Sequence, residues 1–180
     1  NGLISTVRAS FNTWGGERDA YTPDSKQLIV TTDEKSLLII EPFTGKTIKQ
    51  FKNLEHPIGV CFWPDGKKIA VGSNAVVEIL DVASGKKTIV DKELKYALDT
   101  AYSPLHKGIL AYNNDNKIII RDIKTNKIVQ SIEMDSLIRS LDFSPDGKRL
   151  LSTDTNGGVV SWNAETGTKE LSLKGHTKRG

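Results

Sequence analysis

The stretch Leu141-Asp142-Phe143-Ser144-Pro145-Asp146-Gly147-Lys148-Arg149-Leu150 reads as strand, tight turn, strand. Pro145 pre-sets φ at the first corner of a turn, and Gly147 accepts the positive φ needed later in it. The same turn opens at Thr22-Pro23-Asp24-Ser25-Lys26, Trp63-Pro64-Asp65-Gly66-Lys67 and Ser103-Pro104-Leu105-His106-Lys107, so the four prolines are spaced 41, 40 and 41 residues apart. A second turn recurs at Thr44-Gly45-Lys46, Ser84-Gly85-Lys86, Thr125-Asn126-Lys127 and Thr166-Gly167-Thr168. Two independent markers keep one period through four cycles.

Turns at fixed offsets imply strands of fixed length between them. The intervening segments are rich in Ile, Val, Leu, Thr and aromatics, as strands are. They include Ile58–Trp63, Lys68–Ser73, Val76–Asp81 and Lys87–Val90 in the second cycle, and Leu98–Ser103 and Arg149–Ser152 later. Consecutive apolar residues at Leu37-Leu38-Ile39-Ile40 and Ile118-Ile119-Ile120 suit strands covered on both faces. No helix of ten or more residues is predicted.

Four strands in about 41 residues match the blade of a β-propeller, whose repeats run roughly 40–50 residues. The pattern resembles the WD-repeat family and the allied YVTN-type repeats. The fullest unit runs from Leu141 to Leu150 and closes at Ser161-Trp162-Asn163, with Gly175-His176 placed like the dipeptide that opens a further unit. His56-Pro57-Ile58-Gly59-Val60 to Gly66-Lys67-Lys68 is more YVTN-like. The family's Trp-Asp pair falls on Ile40-Glu41, Leu80-Asp81, Arg121-Asp122 and Trp162-Asn163, and its turn aspartate on Glu34, Asn74, Asp115 and Asn156. The family's His–Ser/Thr–Asp–Trp network is therefore expected to be complete in no blade.

The predicted fold is all-β, with about four four-stranded antiparallel blades. An outer strand over 3–9 precedes repeats at about 10–52, 53–92, 93–133 and 134–174, and the tail 175–180 resembles the start of another. Three arrangements stay open: a piece of a larger ring, two copies closing one ring, or four blades closing alone. End blades without neighbours would expose apolar faces.

Composition excludes other classes. The 180 residues are 37% apolar and 26% charged, enough for a core, and the net charge of +3 is too mild to imply nucleic acid. The apolar runs are far shorter than the roughly 20 residues of a spanning helix. Cys61 has no intrachain disulfide partner, which tilts the compartment toward the cytoplasm without fixing it. Asn1 is not an initiator methionine, so the natural start is expected upstream.

No catalytic, cofactor or metal site is predicted. Cys61 reads as a small core residue, and His56, His106 and His176 lie in different units without metal-ligand spacing. Asp19, Asp99 and Asp142 sit 4, 5 and 3 residues before their prolines, so they form no repeated ring and read as solvated or turn-capping. Lysines such as Lys26, Lys67 and Lys148 read as solvated turn positions.

The resemblance implies a non-catalytic interaction or scaffold module whose protein or peptide partner meets one loop face. By repeat position, that face takes Glu17, His56, Ile58, Tyr96, Leu98, Leu137 and Arg139 ahead of the innermost strands. It takes Asp33, Ser73, Asn114 and Thr155 from the next turns. Tyr96 and Arg139 are the expected anchors. Trp14 either packs between blades or adds another anchor, and Trp63 covers one blade rim. The rival readings are a segment of a propeller enzyme whose catalytic residues lie elsewhere, and a structural half-ring closed by self-association or a second chain.

Overall fold

The computed structural model describes residues 20–32, 35–92 and 94–174. The outer strand over 3–9, Trp14, Glu17, Asp19, Asp33 and the tail 175–180 lie outside the described residues. Those described form four antiparallel sheets of four strands, each in chain order, and no helix. Blade 1 holds β1 (Ala20–Tyr21), β2 (Leu28–Thr32), β3 (Ser36–Ile40) and β4 (Thr47–Phe51). Blade 2 holds β5 (Pro57–Phe62), β6 (Lys68–Ser73), β7 (Val76–Asp81) and β8 (Lys87–Lys92). Blade 3 holds β9 (Thr100–Tyr102), β10 (Ile109–Asn114), β11 (Lys117–Asp122) and β12 (Lys127–Glu133). Blade 4 holds β13 (Ile138–Phe143), β14 (Arg149–Asp154), β15 (Gly158–Asn163) and β16 (Lys169–Lys174).

The turn markers do the work their residue types imply. Gly45, Gly85, Asn126 and Gly167 all have φ between 58° and 74°. Beside them Glu41, Asp81 and Asp122 accept backbone N–H bonds from Thr44, Ser84 and Lys124. Hydrogen bonds from Thr44 and Ser84 and from the Lys124 amide hold these three carboxyls below the ordinary range.

The middle strands are sandwiched. Ile118 and Ile120 join Leu141, Leu150 and Trp162 in the core between blades 3 and 4, while Ile119 points the other way, toward Ala70, Val77 and Ile79 of blade 2. Ile29, Leu37 and Ile39 likewise meet Val60, Ile69 and Val71 between blades 1 and 2. Each buried Ile or Leu contributes roughly 1.5–3 kcal/mol of transfer free energy. Trp63 lies in the interior, its ring 4.5 Å from that of Tyr102 in blade 3.

Two glycines let blades 2 and 3 approach. A β-carbon on Gly59 would lie 2.6 Å from the Asp99 Cα, and one on Gly72 2.6 Å from the Ala97 carbonyl oxygen. Both obstacles are backbone, so neither moves aside cheaply.

The family's paired residues survive unevenly. In blade 4 the Trp162 Nε1–H donates to Ser152 Oγ at 2.9 Å, and that hydroxyl points at the Met134 sulfur, 3.4 Å away. In blade 3 the corresponding pair is Arg121 and Tyr112. Arg121 binds Asp91 of blade 2 at 2.9 Å and donates to the Tyr112 hydroxyl at 2.9 Å, while that hydroxyl donates to Asp91 at 2.5 Å. Asn126 takes another Arg121 nitrogen. Every member is satisfied, as a largely buried charge requires.

Strand ends differ from expectation by two residues in three of the described strands, and by one residue in several others. β8 and β14 run two residues further than predicted, because Asp91 and Lys92 pair with β7 and Thr153 and Asp154 with β13. β9 starts at Thr100 rather than Leu98, because the Asp99 N–H bonds to the Asn113 side chain instead of joining the ladder.

Gly72→Ala is expected to lower stability by about 1–3 kcal/mol, read as a lower urea midpoint. Glu78 supplies a test of opposite sign. It is buried on β7, and that burial lifts its carboxyl above the ordinary glutamate range, reinforced by Glu55 and opposed by Lys87. The folded state therefore holds this proton more tightly than the unfolded chain. Stability falls as pH rises from the ordinary glutamate pKa through the raised one. Glu78→Gln should raise the melting temperature at neutral pH by a few degrees, on the order expected for about 1 kcal/mol. The gain should be smaller near pH 4, where the carboxyl is mostly protonated in both the folded and unfolded states.

Candidate protein-interaction face

Among the described residues, those singled out ahead of the innermost strands sit where β5, β9 and β13 begin. At that end of blades 2 and 4 the first strand carries an irregularity: pairing slips between Pro57 and Gly59, and between Ile138 and Ser140. The residues inside the two slips, Ile58 and Arg139, occupy the same repeat position, six before the proline. A bulge bends its strand and re-aims the extra residue. Arg139 is exposed and Ile58 half-buried. In blade 3 the same position is Leu98, half-buried beside the shortened β9.

Backbone hydrogen bonds knit this end together across blades. The Tyr96 carbonyl accepts from the Asp115 N–H at 3.1 Å and from Asn113 Nδ2 at 3.0 Å. The Ala97 N–H reaches back to the Ser73 carbonyl of blade 2 at 2.9 Å. One blade on, the Leu137 carbonyl accepts from Thr155 N–H at 2.9 Å, and Ile138 N–H donates to the Asp115 carbonyl of blade 3. Asn114 Oδ1 accepts from Lys95 N–H at 3.0 Å. The structure thus brings Tyr96 beside Asn114, and Leu137 beside Thr155. His56 is exposed, with φ of 49°, immediately before β5.

With their main chains pinned, Tyr96 and Leu137 still leave 48% and 42% of their surfaces exposed. Ser73 does not share this surface: it is buried, and its hydroxyl closes its own turn through Ala75, Val76 and the Val76 carbonyl. Lys95 and Asp115 form a solvated pair at 3.7 Å that adds little stability.

Asp99 corrects the sequence reading. It is neither solvated nor a turn cap, being only 2% exposed. One carboxylate oxygen accepts from the Leu141 N–H at 2.7 Å and from Ser140 Oγ at 3.2 Å, both on blade 4. The other accepts from Thr100 N–H at 2.9 Å. With Asn113 it makes a continuous path from the Tyr96 carbonyl to the strand that follows Arg139. The signal available in the sequence was its register, two residues from that of Asp142, which is exposed.

Asp99, Asp142 and Cys61 line a concavity of about 550 Å³ bounded by the innermost strands of blades 2, 3 and 4. Its chemistry is quiet. Burial pushes the Cys61 thiol up to about 12, so it stays protonated at neutral pH and is a poor nucleophile. Asp99 is committed to the blade junction. No three His, Cys, Asp or Glu side chains among the described residues are grouped to hold a metal. No helix among the described residues is long and apolar enough to cross a membrane.

Comparison with known proteins agrees with the repeats. The family model for the anaphase-promoting complex subunit 4 WD40 domain matches residues 99–178. Intraflagellar transport protein osm-1 of Caenorhabditis elegans is 26% identical over 162 residues, covering 82% of this chain and 9% of its own length. The U3 small nucleolar RNA-associated protein 18 homolog of Arabidopsis thaliana is 29% identical over 110 residues, 58% of this chain and 20% of that protein. Mouse Protein Atg16l2 is 32% identical over 84 residues, 44% of this chain and 13% of its own. The chain spans at most 20% of the length of these relatives. WD40 domains serve generally as protein-interaction scaffolds and are generally non-catalytic.

Asp99→Ala would leave the buried Leu141 and Thr100 N–H groups without their acceptor. A loss of roughly 2–4 kcal/mol is expected for such charged bonds. Hydrogen exchange at the Leu141 amide should accelerate by at least about tenfold, a larger change than at amides of blade 1.

Proposed function

Because the chain has four WD-like blades and a WD40 family model matches residues 99–178, we propose that it is a non-catalytic interaction module that takes a protein or peptide partner at the pinned loop face. Tyr96, Leu137, Arg139 and His56 make the contacts, with Asn114 and Thr155 as polar partners between them. Glu17 and Asp33 extend the same face onto blade 1 by repeat position. The observation that carries this reading is two apolar side chains, Tyr96 and Leu137, held exposed on main chain whose carbonyls are hydrogen-bonded. A site of this kind is pre-organised, so little ordering entropy opposes binding.

A second reading, completion of the array by another sheet from a second copy or another polypeptide, is favoured by one sheet face of blade 4. Leu151, Leu171 and Leu173 are about half exposed there, in register with one another and opposite in parity to Leu150 and Trp162. Light scattering that returns twice 19.8 kDa for the folded chain would support self-association.

Peptides selected by display against the chain provide the direct test. Tyr96→Ala and Arg139→Ala should each weaken their binding by about tenfold or more, the range of interface anchors. Denaturation midpoints should stay within about 0.5 kcal/mol of the parent, as for surface changes. Unchanged affinity in both variants would move the binding surface elsewhere.

A further inference from the structure

The opposite end of the blades has a different character. There the proline turns join the first and second strands, and each carries a lysine three residues past its proline: Lys26, Lys67, Lys107 and Lys148. All four are exposed. Neighbouring turns touch. Gly66 lies against Pro23, with 3.8 Å from its would-be β-carbon to Pro23 Cδ. Gly147 is seated so closely on Leu105 that a β-carbon there would come within 2.4 Å of it.

In three of the four turns the residue after the proline is an aspartate folded back into the turn. Asp24, Asp65 and Asp146 accept from the N–H of Lys26, Lys67 and Lys148 at 3.2, 2.9 and 3.1 Å. Each thus sets a negative charge beneath its lysine. Blade 3 breaks the pattern, with Leu105 in place of the aspartate and His106 next to it. Leu105 is 51% exposed. The Lys124 stem lies against the same turn, 3.3 Å from a β-carbon placed on Gly108. Lys107, Lys124 and Lys148 make no ion pair among the described residues. The result is an exposed apolar side chain in a turn bordered by segments that carry Lys107, Lys124 and Lys148, and Lys107 lacks the aspartate that the other three turns place after the proline.

We propose that this cluster is a second docking site, for an acidic polypeptide segment that lays an apolar side chain on Leu105. The geometry favours a carboxylate-rich chain over nucleic acid or free phosphate. Four of the N–H groups that could cradle a phosphate are spent: His106 on Ser103 Oγ, Gly108 on the Tyr102 hydroxyl, Lys124 on Asp122 and Lys148 on Asp146. Arg149 is turned toward Glu170, its Nε donating at 2.7 Å, so one edge of its guanidinium is committed to a carboxylate of this chain. Trp63 and Tyr102 pack on each other between blades 2 and 3, so neither of these rings is offered to a base there. What remains is lysine ammonium, which reads charge without geometry, around one apolar anchor.

The test uses the whole chain and a short fluorescein-labelled peptide of alternating glutamate and leucine. Anisotropy should show binding that weakens as salt rises. Lys107→Glu combined with Lys148→Glu should cut affinity by about tenfold or more at low salt. Leu105→Ser should weaken this peptide and leave an all-glutamate peptide nearly unchanged, and Lys92→Glu at the other end should change neither. Tyr96→Ala should also leave the signal intact, which separates this site from the loop face. No binding at low salt, full binding by the double variant, or an oligouridylate of equal charge that binds more tightly than the peptide would each overturn the proposal. Thermal melts of each variant confirm folding, and Leu105→Ser carries no charge change should the double variant fail to fold.

Discussion

A sheet with two apolar faces cannot bury both by itself. Each middle strand here is oily on successive residues, so each blade needs a neighbour on either side, and the neighbour must come close. At the junction of blades 2 and 3 the approach is down to backbone contact, permitted by the missing side chains of Gly59 and Gly72. Helix-free construction, regular turns and the exposed loop face all follow from this demand, because the turns are what remains once the faces are covered. The polar pieces are subordinate to it. Asp99 and the Asp91–Tyr112–Arg121 cluster sit at the same junctions and fix how one face is seated on the next.

Most of the fold was legible because turn chemistry and apolar runs are local properties. Pro64 with Gly66, or Pro145 with Gly147, specifies a turn without help from distant residues. Ile118-Ile119-Ile120 declares two covered faces directly. Asp99 was misread because its role depends on a displaced strand start and on the Ser140 hydroxyl and the Leu141 amide about forty residues away, which no period encodes. Arg121 gave a partial signal. Its presence in the family's tryptophan position was visible, but its counter-charge Asp91 lies on the preceding blade, thirty residues earlier. The loop face was legible as positions and not as contacts. Repeat arithmetic located Tyr96, Leu137 and Arg139, whereas the slips that aim Ile58 and Arg139 had no sequence marker, and Ser73 was drawn inward by its own turn.

The two ends of the blades hold their charge differently. At the loop face Lys95 meets Asp115 and Lys117 meets Glu133, so much of the charge is matched locally. At the proline-turn end the carboxylates are bent back onto amides while the ammonium groups extend outward. Charge distribution of that kind governs encounter and orientation more than the depth of binding. A scaffold with unlike ends can hold two partners without making them compete for one surface.

The arginine cluster also bears on how such an array can change over generations. Asp91 belongs to blade 2, while Tyr112 and Arg121 belong to blade 3. Duplicating or exchanging either repeat alone would part a cation from its anion and leave it in a dry junction, a severe cost. Blades 1 and 4 carry no such shared pair with their neighbours among the described residues. Recombination at the blade 2–blade 3 boundary would therefore carry a cost in stability that only a matched change on both repeats could avoid.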